Sequence, residues 1–261
     1  MRLFRNETNI LLVMTIICGA SCQKTATGPL VVGPASLIIV NAIPNSVPII
    51  PIINTSSAIT YFANAATIRY GNSTEYSPPG GNDTIYVVQK NSDTMDLGPK
   101  AIGLMFNNVL NLRSGGIYSL FLTGSDTSSP DYLFTVDSLP YHNPIDSTVG
   151  IRFVNLSSGS DPISVNLEGS PNGSEVASLS YKGITNFKNY LSDAAASVNG
   201  YRFVFRDFAT GDSLTSIKLV SNRKVPGLVD PNNSSNQLTF KNVTIAFYGS
   251  IKSASMLIDD Y

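Results

Sequence analysis

Tryptophan is absent from this chain of 261 residues, histidine occurs once, cysteine twice, and only 13% of the side chains are charged. With 17 basic against 18 acidic groups neither sign is in excess. The excess of basic surface that suits a phosphate backbone is therefore missing, and nucleic acid is not expected as a partner. The lone histidine, His142, and a small set of carboxylates leave little material for acid–base or metal chemistry. No Gly-x-Ser-x-Gly, His-Glu-x-x-His, glycine-rich phosphate loop or regular calcium loop occurs. The polar stretch 230–236 has oxygen donors but no calcium-loop spacing, and reads as a solvated turn. No catalytic residue, metal or cofactor is expected, and His142 is expected at the surface of a connector.

Apolar runs are also short. The longest near the N-terminus, residues 10–17, falls well below the ~20 residues a spanning helix needs. Arg2 and Arg5 precede it, and Gly19, Ala20 and Ser21 stand directly before Cys22, which is the pattern of an export signal. This ending resembles the lipobox of bacterial lipoproteins, with Gly19 where leucine is usual. The resemblance implies a signal peptide over 1–21, cleavage before Cys22, a lipid on its thiol, and a tether over 22–35. Such a chain is held on a membrane by acyl chains alone. Gln23, in place of an aspartate, points by the same resemblance to the bacterial outer membrane, with the periplasmic or external face left open. Cleavage also removes Cys18, so the mature domains contain no intrachain disulfide.

What is present is a two-residue period. Segments 37–40, 84–88 and 117–122 are β-branched or aromatic runs bounded by Gly, Pro, Asn or Asp. Residues 192–198 read as a loop, and the last eleven residues are only weakly strand-like. The second half repeats the first. Ser36-Leu-Ile-Ile-Val-Asn41 matches Gly150-Ile-Arg-Phe-Val-Asn155, and Ile68-Arg69-Tyr70 with Tyr76 matches Leu179-Ser180-Tyr181 with Phe187. Segment 84–88 corresponds to 201–205, and 118–124 to 243–249. The expected organisation is all-β: two immunoglobulin-like antiparallel sandwiches over 36–139 and 148–261, joined by a connector at 140–147. Pro48 and Pro51 mark an edge strand in the first copy.

These residues, the paired Val-Asn openings with a following proline (Pro44, Pro162), the central tyrosines and the closing strands ending in glycine, resemble the domain of unknown function numbered 4397. That family is an immunoglobulin-like module, often in tandem, of secreted proteins and lipoproteins of Bacteroidetes-type bacteria. The resemblance implies fold and export, and no established activity.

Residues repeated in both copies, such as Tyr70 and Tyr181, are expected to serve packing, so recognition is sought among unduplicated aromatics: Tyr61, Phe62, Tyr132 and Tyr190. Five Asp-Ser/Thr-x triplets resemble an O-glycosylation acceptor of such exported proteins, against about one expected by chance for this composition. They offer Thr84, Thr94, Ser138, Ser147 and Ser213, with Thr94 and Ser138 in the most loop-like contexts. The leading function is a non-enzymatic envelope lipoprotein that presents two immunoglobulin-like domains for adhesion, assembly or the binding of a glycan or an envelope or host protein. A strand-donating fibre subunit is the alternative, and a glycan hydrolase, which would need converging carboxylates, comes third.

Overall fold

A computed structural model describes residues 33–53, 66–90, 103–142, 148–192, 200–219, 242–249 and 255–260. Among them are fifteen strands and no helix. In chain order these are β1 (Ser36–Asn41), β2 (Ile49–Ile53), β3 (Asn72–Tyr76), β4 (Gly81–Gln89), β5 (Leu104–Leu112), β6 (Ile117–Gly124) and β7 (Pro130–Val136) in the first copy. The second copy contains β8 (Thr148–Asn155), β9 (Ile163–Leu167), β10 (Val176–Leu179), β11 (Lys188–Leu191), β12 (Tyr201–Asp207), β13 (Ser213–Leu219), β14 (Asn242–Tyr248) and β15 (Ser255–Asp260).

Each copy is a sandwich. In the first, the sheet β2-β4-β5 faces the sheet β3-β1-β6-β7; in the second, β10-β9-β12-β13 faces β11-β8-β14-β15. Leu37, Ile39, Ile85, Val87, Leu112 and Leu120 fill the first core, and Ile151, Phe153, Val165, Phe203, Phe205 and Phe247 the second. β2, which carries Pro51, is an edge strand of its sheet, paired to β4. Among the described residues its other side has only an isolated bridge from Ile49 to Ile68, which suits the missing proline N–H.

The alternation in β1, β6, β8 and β14 does not end in solvent. Their second faces meet across a seam, where Ile38, Val40, Phe121, Val154, Ala246 and Tyr248 form a third buried cluster. The four sheets therefore stack in one series, and the middle two are covered on both sides. This explains why β1 reads Ser-Leu-Ile-Ile-Val-Asn, a nearly continuous apolar run rather than an alternating one. The same strands form the parallel pairs β1–β6 and β8–β14, in matching registers (Leu37 opposite Tyr118, Ile151 opposite Val243).

The repeat extends to single hydrogen bonds. Asn41, fully buried at the end of β1, donates from Nδ2 to the Ile68 carbonyl (3.2 Å) and the Ser46 hydroxyl (3.0 Å), while its Oδ1 accepts from the Ile43 N–H. Asn155 does the same at the end of β8, with the Leu179 carbonyl (3.1 Å), Ser160 (3.2 Å) and the Ser157 N–H. Each hook fixes where the first strand stops and ties it to the turn before the sheet's edge strand. Left-handed backbone recurs in register with the hooks: Asn45 with Gly159 and Gly71 with Lys182. At Gly71 (φ 76°) a Cβ would run into the Tyr248 hydroxyl of the other copy, so glycine serves both the turn and the seam.

Three expectations are corrected. His142 is buried, with Nδ1 2.9 Å from Thr148 Oγ1 and Nε2 2.9 Å from Asn242 Oδ1, because the connector folds back over the ends of β8 and β14. The weakly strand-like terminus forms β15, since β14 offers it an open edge from Val243 to Tyr248. Phe187 is not the register equivalent of Tyr76, a point taken up below. Segments 193–199 and 230–236 lie outside the described residues.

Because the two asparagine hooks make matching bonds, Asn41→Ala and Asn155→Ala are expected to destabilise the chain alike, by about 1–3 kcal/mol each. Urea unfolding of both variants checks this; a loss at one position only would show that the hooks are not equivalent supports.

Candidate functional site

The seam is built from equivalent faces, yet its chemistry is not symmetric. Arg152 in β8 stands where the first copy has Ile38. Its guanidinium lies against Asp137 at 2.6 Å, and the two side chains are 4% and 0% exposed. Arg152 Nε also donates to Thr244 Oγ1 (2.8 Å) and an Nη to Ser119 Oγ (3.2 Å), while Ser119 donates to Asp137 Oδ2 (2.6 Å). Both copies thus contribute to one buried, charge-balanced network. Removing either ion would strand the other in a dry environment.

A second asymmetry lies beside it. In the first copy β3 pairs with β1 without interruption from Asn41–Asn72 to Leu37–Tyr76. In the second, Val154 pairs with Ile184 and Ile151 with Lys188, so two residues of β8 face three of the partner, 185–187. The extra residue makes a bulge, and a bulge reverses which side the following side chains take. Tyr76 therefore packs on the first core, whereas Phe187 turns to the seam and lies under Arg152, its ring centroid 4.6 Å from the guanidinium carbon. The spacing that aligns these aromatics in the sequence is displaced by one position in the register.

The bulge opens a cleft of about 440 Å3. The first copy supplies Thr135, Val136, Ser138 and Leu139, the connector Pro140, and the second copy Arg152, Ile184, Thr185, Asn186 and Phe187. Hydroxyl and amide groups alternate there with apolar surface. Thr185 Oγ1 accepts from the Phe153 N–H (2.9 Å), which holds the bulge in place. None of the described lining residues is a carboxylate.

The other end of the seam shows the pseudo-twofold relation. Tyr70 meets Tyr248 edge to face at 5.3 Å, and Tyr181, the repeat of Tyr70, donates to Asp131 (3.2 Å) across the seam. Burial raises the Tyr70 and Tyr181 hydroxyl pKa values. Burial alone would also raise Asp131, but Lys182 Nζ at 2.9 Å, the Tyr132 N–H and the Tyr181 hydroxyl hold it below the usual carboxylate range. The repeated tyrosines are thus packing residues, and they pack one copy on the other.

The unduplicated aromatics separate. Tyr132 is 40% exposed on β7, edge to face with Phe106 (4.9 Å), and Asn108 donates to its hydroxyl (3.3 Å). Tyr190, expected as a ligand contact, is instead a core residue. Its ring sits among Tyr201 and Phe203, its hydroxyl donates to Glu175, and burial followed by Glu175 drives its pKa up. The inward parity of β11 dictates this, since Tyr190 pairs with Val149 of the core face. Tyr61, Phe62, Cys22, Thr94 and Ser147 lie outside the described residues. Thr84 is half-buried in the middle of β4, Ser138 is exposed on the cleft rim, and Ser213 is exposed where β13 begins. Sequence reasoning missed Arg152 and the 185–187 bulge. The available signal was Arg152 itself, a charge within an otherwise apolar strand at a position that is isoleucine in the other copy.

No family model and no curated protein matches the chain. Among solved structures it is similar to a family 26 carbohydrate-binding module of Eubacterium rectale Amy13K in complex with maltoheptaose. That match has 8% identity and a TM-score of 0.26, over 87% of this chain and 96% of that one. A candidate adhesin from Bacteroides ovatus is similar at 10% identity and a TM-score of 0.25, over 88% and 95%.

The buried pair generates a test. Arg152→Ile, which installs the first copy's residue, leaves Asp137 buried without its partner and is expected to cost about 3–5 kcal/mol. Adding Asp137→Leu removes the stranded charge, and most of that loss should return. Denaturant unfolding of the single and double variants measures both; a single variant within about 1 kcal/mol of the parent would mean that the network does not hold the seam.

Proposed function

We propose that this chain is a non-enzymatic envelope lipoprotein, held on the outer membrane through a lipid on Cys22, and that its two sandwiches, modules of the 4397 type, act together as one binding unit for a glycan or an envelope or host protein. The cleft carries the reading. It is a concave site of mixed polar and apolar lining to which both copies contribute, and its volume falls in the range of small-molecule sites. Hydrolysis finds little support at that place, because Asp137, the carboxylate beside the cleft, is engaged by Arg152 and Ser119 rather than paired with a second acid. The tether composition of 23–35 and the export pattern support the anchor.

Fractionation of cells that express Cys22→Ser tests the anchoring. The variant should leave the membrane pellet, and persistence there after a high-salt wash would refute the lipid. The same fractions address the fibre alternative, which draws on the place of β15 as a chain-terminal edge strand. That reading requires a detergent-resistant ladder of high mass, which is not expected.

For the acceptor triplets we infer that, of the three whose hydroxyl residue is described, Ser213 is the one modified. Asp212 and Ser213 are both exposed, whereas Asp83 and Asp137 are buried beside Thr84 and Ser138. A transferase that reads the aspartate needs it accessible. Glycopeptide mass mapping of chain purified from its native host should find the sugar on Ser213 and lose it in Asp212→Asn; sugar on Thr84 instead would contradict the accessibility argument.

A further inference from the structure

The chemistry of the seam cleft narrows its ligand. Its one ionic side chain, Arg152, is already neutralised by Asp137 at 2.6 Å and further bound by Ser119 and Thr244. An anionic ligand would have to compete with that buried carboxylate, and a cationic one would meet the guanidinium, so a charged partner gains little in either case. Neutral hydrogen-bonding groups are available in their place. The Ser138 and Asn186 side chains, one from each copy, are exposed in the cleft lining and form no hydrogen bond among the described residues. Thr185 accepts from the Phe153 N–H, so its hydroxyl proton is the group it can offer outward. Phe187, Ile184 and Val136, the last 69% exposed, add apolar surface to the same lining.

Donors and acceptors from both copies, together with aromatic and aliphatic surface, complement a ring that carries hydroxyls around its rim and C–H groups on its faces. We propose that the cleft binds a neutral saccharide, a pyranose unit held between Ser138 of the first copy and Thr185 and Asn186 of the second, with its C–H face toward the apolar surface. The volume of 440 Å3 accommodates roughly one or two such rings. The assignment rests on the binding reading given above. It makes the site a property of the seam, since neither copy alone has the whole lining. Specificity against sialylated, sulfated or uronate-bearing chains follows from the neutralised arginine.

The experiment titrates the full-length chain, in detergent, against a panel of neutral hexose and N-acetylhexosamine oligosaccharides and against sialylated and uronate-containing ones, by calorimetry at low and high salt. Binding of at least one neutral oligosaccharide is expected, with affinity unchanged by salt. Asn186→Ala should weaken it at least about tenfold, the expected cost of roughly one ligand hydrogen bond. Ser138→Trp, which fills the cleft from its rim, should abolish it. Both positions are exposed, so unchanged melting temperatures will separate lost binding from lost folding. Failure of every neutral oligosaccharide, preference for the anionic ones, or full affinity in both variants would overturn the proposal. A parallel panel of purified matrix proteins keeps the two readings apart. A protein ligand whose binding Ser138→Trp abolishes, with no sugar bound, sinks the saccharide assignment and leaves the binding function standing, whereas silence in both panels removes both.

Discussion

The structure depends on one packing constraint: β1, β6, β8 and β14 are buried on both faces. A sandwich strand normally keeps a solvated face, and its sequence alternates accordingly. Here the second face of each copy is also apolar, and what covers it is the matching face of the other copy. An isologous dimer has the same logic. Two identical modules of this kind could pair in any combination, including between chains. The Arg152–Asp137 pair restricts that choice. A seam between two first copies would bury two aspartates without an arginine, and one between two second copies would bury two arginines without an acid. Only the mixed pairing is neutral. A buried ion pair brings little net stability once desolvation is counted, and its strength lies in what it forbids.

The same constraint places the cleft. A perfectly repeated seam would close along its whole length, because equivalent strands present equivalent volumes. One extra residue between Ile184 and Lys188 breaks that equivalence on one side only. Thr185 keeps its N–H on the Phe153 carbonyl (2.9 Å), and the extra residue sends Phe187 toward Arg152, its ring centroid 4.6 Å from the guanidinium carbon. Local backbone irregularity, the one buried charge pair of the seam and the gap between the copies therefore coincide, and each accounts for part of the next. Ser138, Leu139 and Pro140, which follow β7, line the same cleft, and nearby His142 bonds Thr148 and Asn242.

Much of the fold was legible in the residues. Strand length, the two-residue period, the turn residues and the internal repeat give two β-sandwiches, and Pro51 gives an edge strand, because each of these follows from local backbone chemistry. The seam was written in the same segments but in an ambiguous form. A run such as Leu37-Ile38-Ile39-Val40 says that both faces are apolar, and it does not say whether the cover comes from the other copy, another chain or a loop. Tyr190 was misread because an unduplicated aromatic carries no mark of its parity, and only the pairing with Val149 turns it inward. Phe187 was misaligned for a related reason. A spacing of six residues after the repeated tyrosine is kept in both copies, but a bulge uses one of those residues without extending the ladder. His142 was placed outside because a connector is usually exposed, and a proline-bounded segment that folds back to bond two strand ends leaves no periodic signal.

A duplicated module supplies its own control experiment, and the comparison works only after the register is known. Where the copies agree, as at Asn41 and Asn155 or at Tyr70 and Tyr181, the shared residue does the same physical task twice, and that task is to hold the fold and the seam. Where they differ, two kinds of difference must be separated. Some are neutral exchanges within a core, where volume and apolarity suffice and the partner residues adjust. Others violate the rule that governs the position. Arginine at a buried seam position and an extra residue in a paired strand are of this second kind, since each costs free energy that an isoleucine and an unbroken ladder would not. The two costly differences adjoin one another, and they adjoin a cleft that residues of both copies line with hydroxyl and amide groups. Other strand pairs of both copies also carry register shifts, but β3 pairs with β1 without interruption where β8 and its partner do not, so among the strands of the seam this irregularity belongs to one copy and lies beside the buried pair.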